Sequence, residues 1–190
     1  MSVITIYCSG SIQKGESDNK KLCWTEKERM AVARGAAPDT VAFLNPDDPA
    51  SDLSDTEALF GRDLFQVETA DAVIVDARER RGIGIGIEMV ISRLVGSLLV
   101  IVAPRNSYYR MDSVSYRGGT VQNYVHPHIA VLADAVVDDF EAAGAWLREA
   151  KLKHLAPKGQ TVLSHAVAAY KCRLLPSDRP MQDLLKRLSS

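Results

Sequence analysis

Short unbroken apolar runs fall at residues 3–8, 40–44, 72–75 and 97–103. Each is too short for an ordinary helix and too uniformly apolar for a strand with one wet face. Each therefore predicts a buried strand of a parallel sheet. Helical periods lie between them. Residues 20–34 place Leu22, Cys23, Met30, Ala31 and Ala33 on one face, with Gly35 as the stop. Ser54 or Asp55 can cap a helix that runs through Leu59, Phe60, Leu64 and Val67. A third helical pattern follows Glu88 over residues 89–95 and ends at Gly96. A fourth covers 137–150, with Phe140, Ala143, Trp146 and Leu147 inward. A fifth strand is expected near the end of 124–132.

Alternating strands and helices predict an α/β fold with right-handed crossovers. Five strands suggest a flavodoxin-like or Rossmann-like doubly wound parallel sheet in the order 2-1-3-4-5. Residues 1–150 form this domain. Residues 151–190 read as a helical C-terminal extension, with patches at 160–172 and 181–188 split by Pro176 and Pro180. Residues 104–124 are rich in Arg, Tyr, Ser and Gly and show no clear period, so they predict a long polar loop. Such a loop in a compact domain is usually functional or packed on a partner.

The chain has 190 residues, enough for one sizeable core. A net charge of −1 gives no general pull toward nucleic acid or anionic membrane. No apolar run approaches a membrane span, and no basic region precedes an apolar stretch at the start. The expected setting is cytoplasmic. The three cysteines are too scattered for a disulfide framework or a zinc site. His126 and His128 read as turn and strand-edge residues. No metal or cofactor is expected.

The candidate chemistry sits after the third strand. Asp76 closes that strand, and Arg78, Arg80 and Arg81 lead into Gly82, Gly84 and Gly86. Glu88 then stands at the head of a helix. A glycine turn lets a ligand approach the backbone, and free helix N–H groups favour an anion. The dinucleotide fingerprint fails because Ile87 stands where it needs glycine, and there is no P-loop. A first-turn glutamate can also merely satisfy the helix dipole. The first strand breaks at Ser9, Gly10 and Ser11, which suit a tight turn as well as an anion. In the 2-1-3-4-5 order these two turns meet in one crevice, at the carboxyl ends of neighbouring strands. A carboxylate there can attack an acetal-like carbon, and a second carboxylic acid must protonate the leaving group. Asp63, Asp71 and Asp76 are the candidates for that acid. Asp71 begins its strand, at the wrong end of the sheet.

The runs 6–12, 62–75 and 82–88 resemble the nucleoside 2-deoxyribosyltransferase superfamily. Gly10, Ser11 and Ile12 look closer to its 2′-deoxynucleoside 5′-phosphate N-hydrolases. The resemblance covers about residues 3–105. It implies Glu88 as nucleophile at C1′, Asp63 as the acid and Tyr7 beside the carboxylate. It also implies a loop of Ser9, Gly10, Ser11 and Ile12 under the nucleotide, with backbone contacts at Gly84 and Gly86. Gln13 replaces a usual arginine and Gly82 a usual hydroxyl residue, and both positions serve the 5′-phosphate. Arg81 or a neighbouring arginine could make up that loss. The implied ligand is a nucleotide or nucleoside, and the implied assembly is a homodimer or larger ring in which a neighbour completes the site, a part the loop around Ser113, Ser115 and Arg117 could play. The reading is an N-glycosidase of (deoxy)nucleoside 5′-monophosphates. A deoxyribosyltransferase and a non-catalytic nucleotide-sensing module are the alternatives.

Overall fold

The computed structural model describes residues 3–11, 24–46, 54–80, 82–116 and 118–189. Strands β1 (Val3–Ser9), β2 (Thr40–Leu44), β3 (Ala72–Asp76), β4 (Leu98–Val102) and β7 (Ala135–Val137) form one parallel sheet. Its spatial order is β2-β1-β3-β4-β7. With β7 as the fifth strand, this is the flavodoxin-like order. The switch point falls between β1 and β3, where Ser9 pairs with Val75.

Period-two alternation divides the core into two layers. Ile4, Ile6 and Cys8 of β1 and Ala72 and Ile74 of β3 pack with α1 (Glu26–Ala36) and α5 (Phe140–Leu152). Tyr7 of β1 and Val73 and Val75 of β3 face the other way. They meet α2 (Thr56–Thr69), α3 (Ile83–Val95) and α4 (Pro127–Leu132). Gly35 does not stop α1. It lies inside the helix, where a β carbon would stand 2.0 Å from the Glu141 carbonyl oxygen. Gly144 meets the Val32 carbonyl in the same way at 2.1 Å. Two glycines thus let α1 and α5 touch backbone to backbone.

Residues 104–124 are not a structureless loop. They contain most of an antiparallel hairpin, β5 (Arg110–Tyr116) with β6 (Gly119–Val125). Most of its residues are exposed, so no buried face imposes the alternation that would have marked it as strand. The expected strand within 124–132 is instead α4. Pro127 takes its first turn, and Ile129 and Leu132, three apart, are buried. A short apolar run is equally compatible with a buried helix, and the proline decides. His126 is the N-cap residue of α4 and His128 lies in its first turn, not at a strand edge.

The C-terminal extension holds α6 (Thr161–Arg173), a 3-10 turn (Leu175–Ser177) and α7 (Arg179–Leu188). Val162 and Leu163 pack on the α3/α4 layer. The backbone N–H of Lys158 donates to Asp134 at 3.0 Å. Asp134 also pairs with the fully buried Arg93 of α3 at 2.9 Å. Among the described residues, no helix is long and apolar enough to cross a membrane.

Candidate active site

Three elements bring the site together. Tyr7 and Ser9 are two residues apart on β1, so both side chains point to the α3 face of the sheet. There they take the two oxygens of one carboxylate. The Tyr7 hydroxyl donates to Glu88 Oε1 at 2.9 Å, and the Ser9 hydroxyl donates to Glu88 Oε2. Asp63 comes from α2, on the same face, close enough for its charge to act on both Glu88 and Tyr7.

Glu88 is not in the first helical turn. The helix begins at Ile83, so Gly84 and Gly86 are helical residues and Glu88 belongs to the second turn. Successive helix positions are about 100° apart. Gly84 therefore lies on the side of Glu88, and a β carbon there would be 4.0 Å from Glu88 Oε1. Gly82 and Gly86 lie on the opposite side. Gly82 is the N-cap residue and provides no side-chain cap for the first-turn N–H groups.

Burial pushes the Glu88 carboxyl above the ordinary range. The Ser9 and Tyr7 hydrogen bonds pull against that, and the nearby Asp63 charge adds to it. Burial likewise raises Asp63, while Arg62 opposes the rise. Among the described residues none donates a hydrogen bond to Asp63. Desolvation thus favours the proton at both carboxyls, and hydroxyl donors oppose it only at Glu88. This is an asymmetry suited to one nucleophile and one acid. Burial and the two carboxylate charges push Tyr7 well above its usual value, so it stays an O–H donor.

Asp76 cannot share this work. It has the parity of Ala72 and Ile74 and faces the α1/α5 layer. Arg78 holds it through Nε and Nη2, both at 2.9 Å. The same guanidinium reaches Glu28 at 3.1 Å and lies over the Phe140 ring at 4.8 Å. Arg78 is thus committed on the face away from Glu88. Arg80 lies over Tyr108 at 5.5 Å. Asp71 accepts the Thr5 N–H at the far end of the sheet. Gly10 and Ser11 follow β1 at the crevice rim. Ile12, Gln13, Arg81 and Arg117 lie outside the described residues. Ser113 and Ser115 are exposed on β5.

A residue with no sequence signal supports the centre. Trp24 Nε1 donates to the Ser9 carbonyl at 3.0 Å from the opposite face of the sheet. An apolar groove of about 930 Å³ lies beyond α3, lined by Gly82, Ile83, Gly86, Ile87, Tyr108 and His128 among others. Glu88, Asp63 and Tyr7 do not line it. Among the described residues no cluster of three or more His, Cys, Asp or Glu could hold a metal ion.

The chain is thus a doubly wound α/β protein with two carboxyl groups and a tyrosine at its switch point. Among solved structures it is similar to one described as "2-desoxiribosyltransferase from Leishmania mexicana". The TM-score is 0.51 at 21% identity, over 77% of this chain and 97% of that one. The likeness is one of fold. No protein-family model and no curated protein matches the chain.

Proposed function

We propose that the protein cleaves the N-glycosyl bond of nucleoside 5′-monophosphates, with Glu88 as nucleophile and Asp63 as acid. The carrying observation is Glu88 itself, held through both oxygens in a partly buried crevice with a second carboxyl, Asp63, close enough to act on its charge. A lone pair of Glu88 forms a bond to C1′ as the C1′–N bond breaks. The bond's electrons go to the base, which takes the Asp63 proton. The Asp63 carboxylate then accepts a proton from water as water attacks C1′ and Glu88 departs. The start of α3, whose N-cap glycine offers no side chain, and nearby Arg80 support an anionic substrate.

Base transfer between free deoxynucleosides is the second reading. Arg78 is committed to Asp76 and Glu28, which removes one of the three arginines that could hold a phosphate. The solved relative of similar fold is a deoxyribosyltransferase by its description. The chain would work in the cytoplasm as a homodimer or larger assembly. Ile83, Ile87 and Leu94 are 86%, 41% and 50% exposed along one side of α3, an apolar stripe suited to a second copy. A two-stranded arm such as β5–β6 is also marginal without a partner.

The test is a panel of nucleosides and their 5′-monophosphates, read by chromatography with and without an acceptor base. Released base with a higher kcat/KM for the monophosphate supports the hydrolase. Equal or better use of the free nucleoside with base exchange supports the transferase. Binding without turnover supports a sensing module. Glu88→Gln should lower turnover by several powers of ten while the fold persists.

A further inference from the structure

Ser9 is fully buried at the end of β1, and its hydroxyl is spent on Glu88 Oε2. Its carbonyl is held from the other face of the sheet by Trp24. Trp24 is itself fixed edge-on to Phe140, with ring centres 4.9 Å apart and planes at 72°. The last residue of β1 is therefore clamped from both faces, by an indole on one and a carboxylate on the other. This does not resemble a loop residue waiting for a nucleotide.

We propose that Ser9 is a positioning residue that orients the Glu88 carboxylate and stabilises its charge, both before attack and again when Glu88 leaves the sugar. The inference rests on the nucleophile reading of Glu88. Among the described residues, the groups facing Glu88 are Tyr7 and Ser9 from β1 and Asp63 from α2, with Arg62 acting on Asp63. Of these, the two hydroxyls favour the anion and Asp63 opposes it.

The two half-reactions make opposite demands on this hydrogen bond. In the first, Glu88 gives a lone pair to C1′ and loses negative charge, so a donor on its oxygen weakens the nucleophile. In the second, water bonds to C1′ and the C1′–O bond breaks. That electron pair returns to the carboxylate, which regains the charge Ser9 stabilises. Ser9 thus favours release of the sugar over its capture. Removing the hydroxyl should leave the glycosyl-enzyme waiting.

The test uses the full chain and two readouts, of which the first needs no substrate. The 13Cδ resonance of Glu88, assigned by its loss in Glu88→Gln, is titrated in wild type, Ser9→Ala, Ser9→Thr and Trp24→Phe. A hydrogen bond to a charged acceptor contributes about 1.5–3 kcal/mol, so the Glu88 proton affinity should rise about tenfold or more in Ser9→Ala. Ser9→Thr should restore it, and Trp24→Phe should move it part of the way. The second readout is the mass of the intact enzyme during turnover, where Ser9→Ala should accumulate the glycosyl adduct and wild type should not. An unmoved Glu88 titration in folded Ser9→Ala overturns the proposal. If that variant does not fold, an unmoved titration in Trp24→Phe does so. A moved titration with no adduct in Ser9→Ala, while wild type turns over, overturns the leaving-group role. Absence of base release and adduct in wild type sinks the glycosidase reading instead, and the titration alone then decides whether Ser9 holds Glu88.

Discussion

The glycines at the start of α3 allow stability and activity to be separated. Glycine inside a helix costs about 0.5–1 kcal/mol relative to alanine. Among the described residues, a β carbon at Gly84 would meet only Glu88 Oε1, at an ordinary 4.0 Å, and one at Gly86 would meet nothing within 4 Å. Gly84→Ala and Gly86→Ala should therefore both fold and both gain stability. For a chain of this length each gain is a rise of about 1–4 °C in Tm. The activities should part. The sugar carbon must come within about 3–3.5 Å of the attacking oxygen, and a displacement of about 1 Å costs about a hundredfold in rate. The Gly84 methyl stands on the Glu88 side and holds the sugar off, so kcat/KM should fall about a hundredfold, or about 2.7 kcal/mol in the barrier. The Gly86 methyl stands on the groove side and should change kcat/KM only a fewfold. Thermal melts followed by circular dichroism and base release followed by chromatography measure the two effects. A stabilised Gly84→Ala enzyme with wild-type kcat/KM would refute the placement of the sugar over Gly84.

Three further outcomes follow from named contacts. Asp63→Asn should slow substrates with poor leaving bases by about 10²–10⁴ and those with activated bases far less; equal losses would make Asp63 structural. Glu28 is opposed by burial, but Thr25, its own helix start and Arg78 hold it below the ordinary glutamate range. Its contribution to stability is therefore present above that range and lost as pH falls through its lowered value. The Tm gap between wild type and Glu28→Gln should thus shrink on acidification, and a gap independent of pH would disprove the pairing. Gly144→Ala forces a β carbon to 2.1 Å from the Val32 carbonyl and should cost about 1–3 kcal/mol, seen as a lower Tm. An unchanged Tm would mean that α1 and α5 can separate without cost.

Much of the architecture is local information and was legible in the chain. Strands β1, β3 and β4 are continuous apolar runs because most of their residues are buried on both faces, whereas β2, at the sheet edge, is only partly buried; parallel topology follows from helices lying between the strands. Asp55 was readable as a cap, and its carboxylate accepts the Ala58 N–H at 2.9 Å. The pairing of the Ser9 turn with the Glu88 helix was also legible, once the strand order was assumed. Tertiary structure decided what depends on a partner distant in sequence. Gly35 resembles a helix stop until α5 is seen against it. The β5–β6 arm has no buried face to print a period on its sequence. Asp76 and Tyr7 both end up at the carboxyl side of the sheet, but strand parity sends them to opposite faces. Only in three dimensions does Arg78 become a core ion pair rather than a phosphate ligand. The sequence carries the types of the chemical groups and their order along the chain. Which of them share a crevice is decided by packing, because one step along a strand turns a side chain from one layer of the protein to the other.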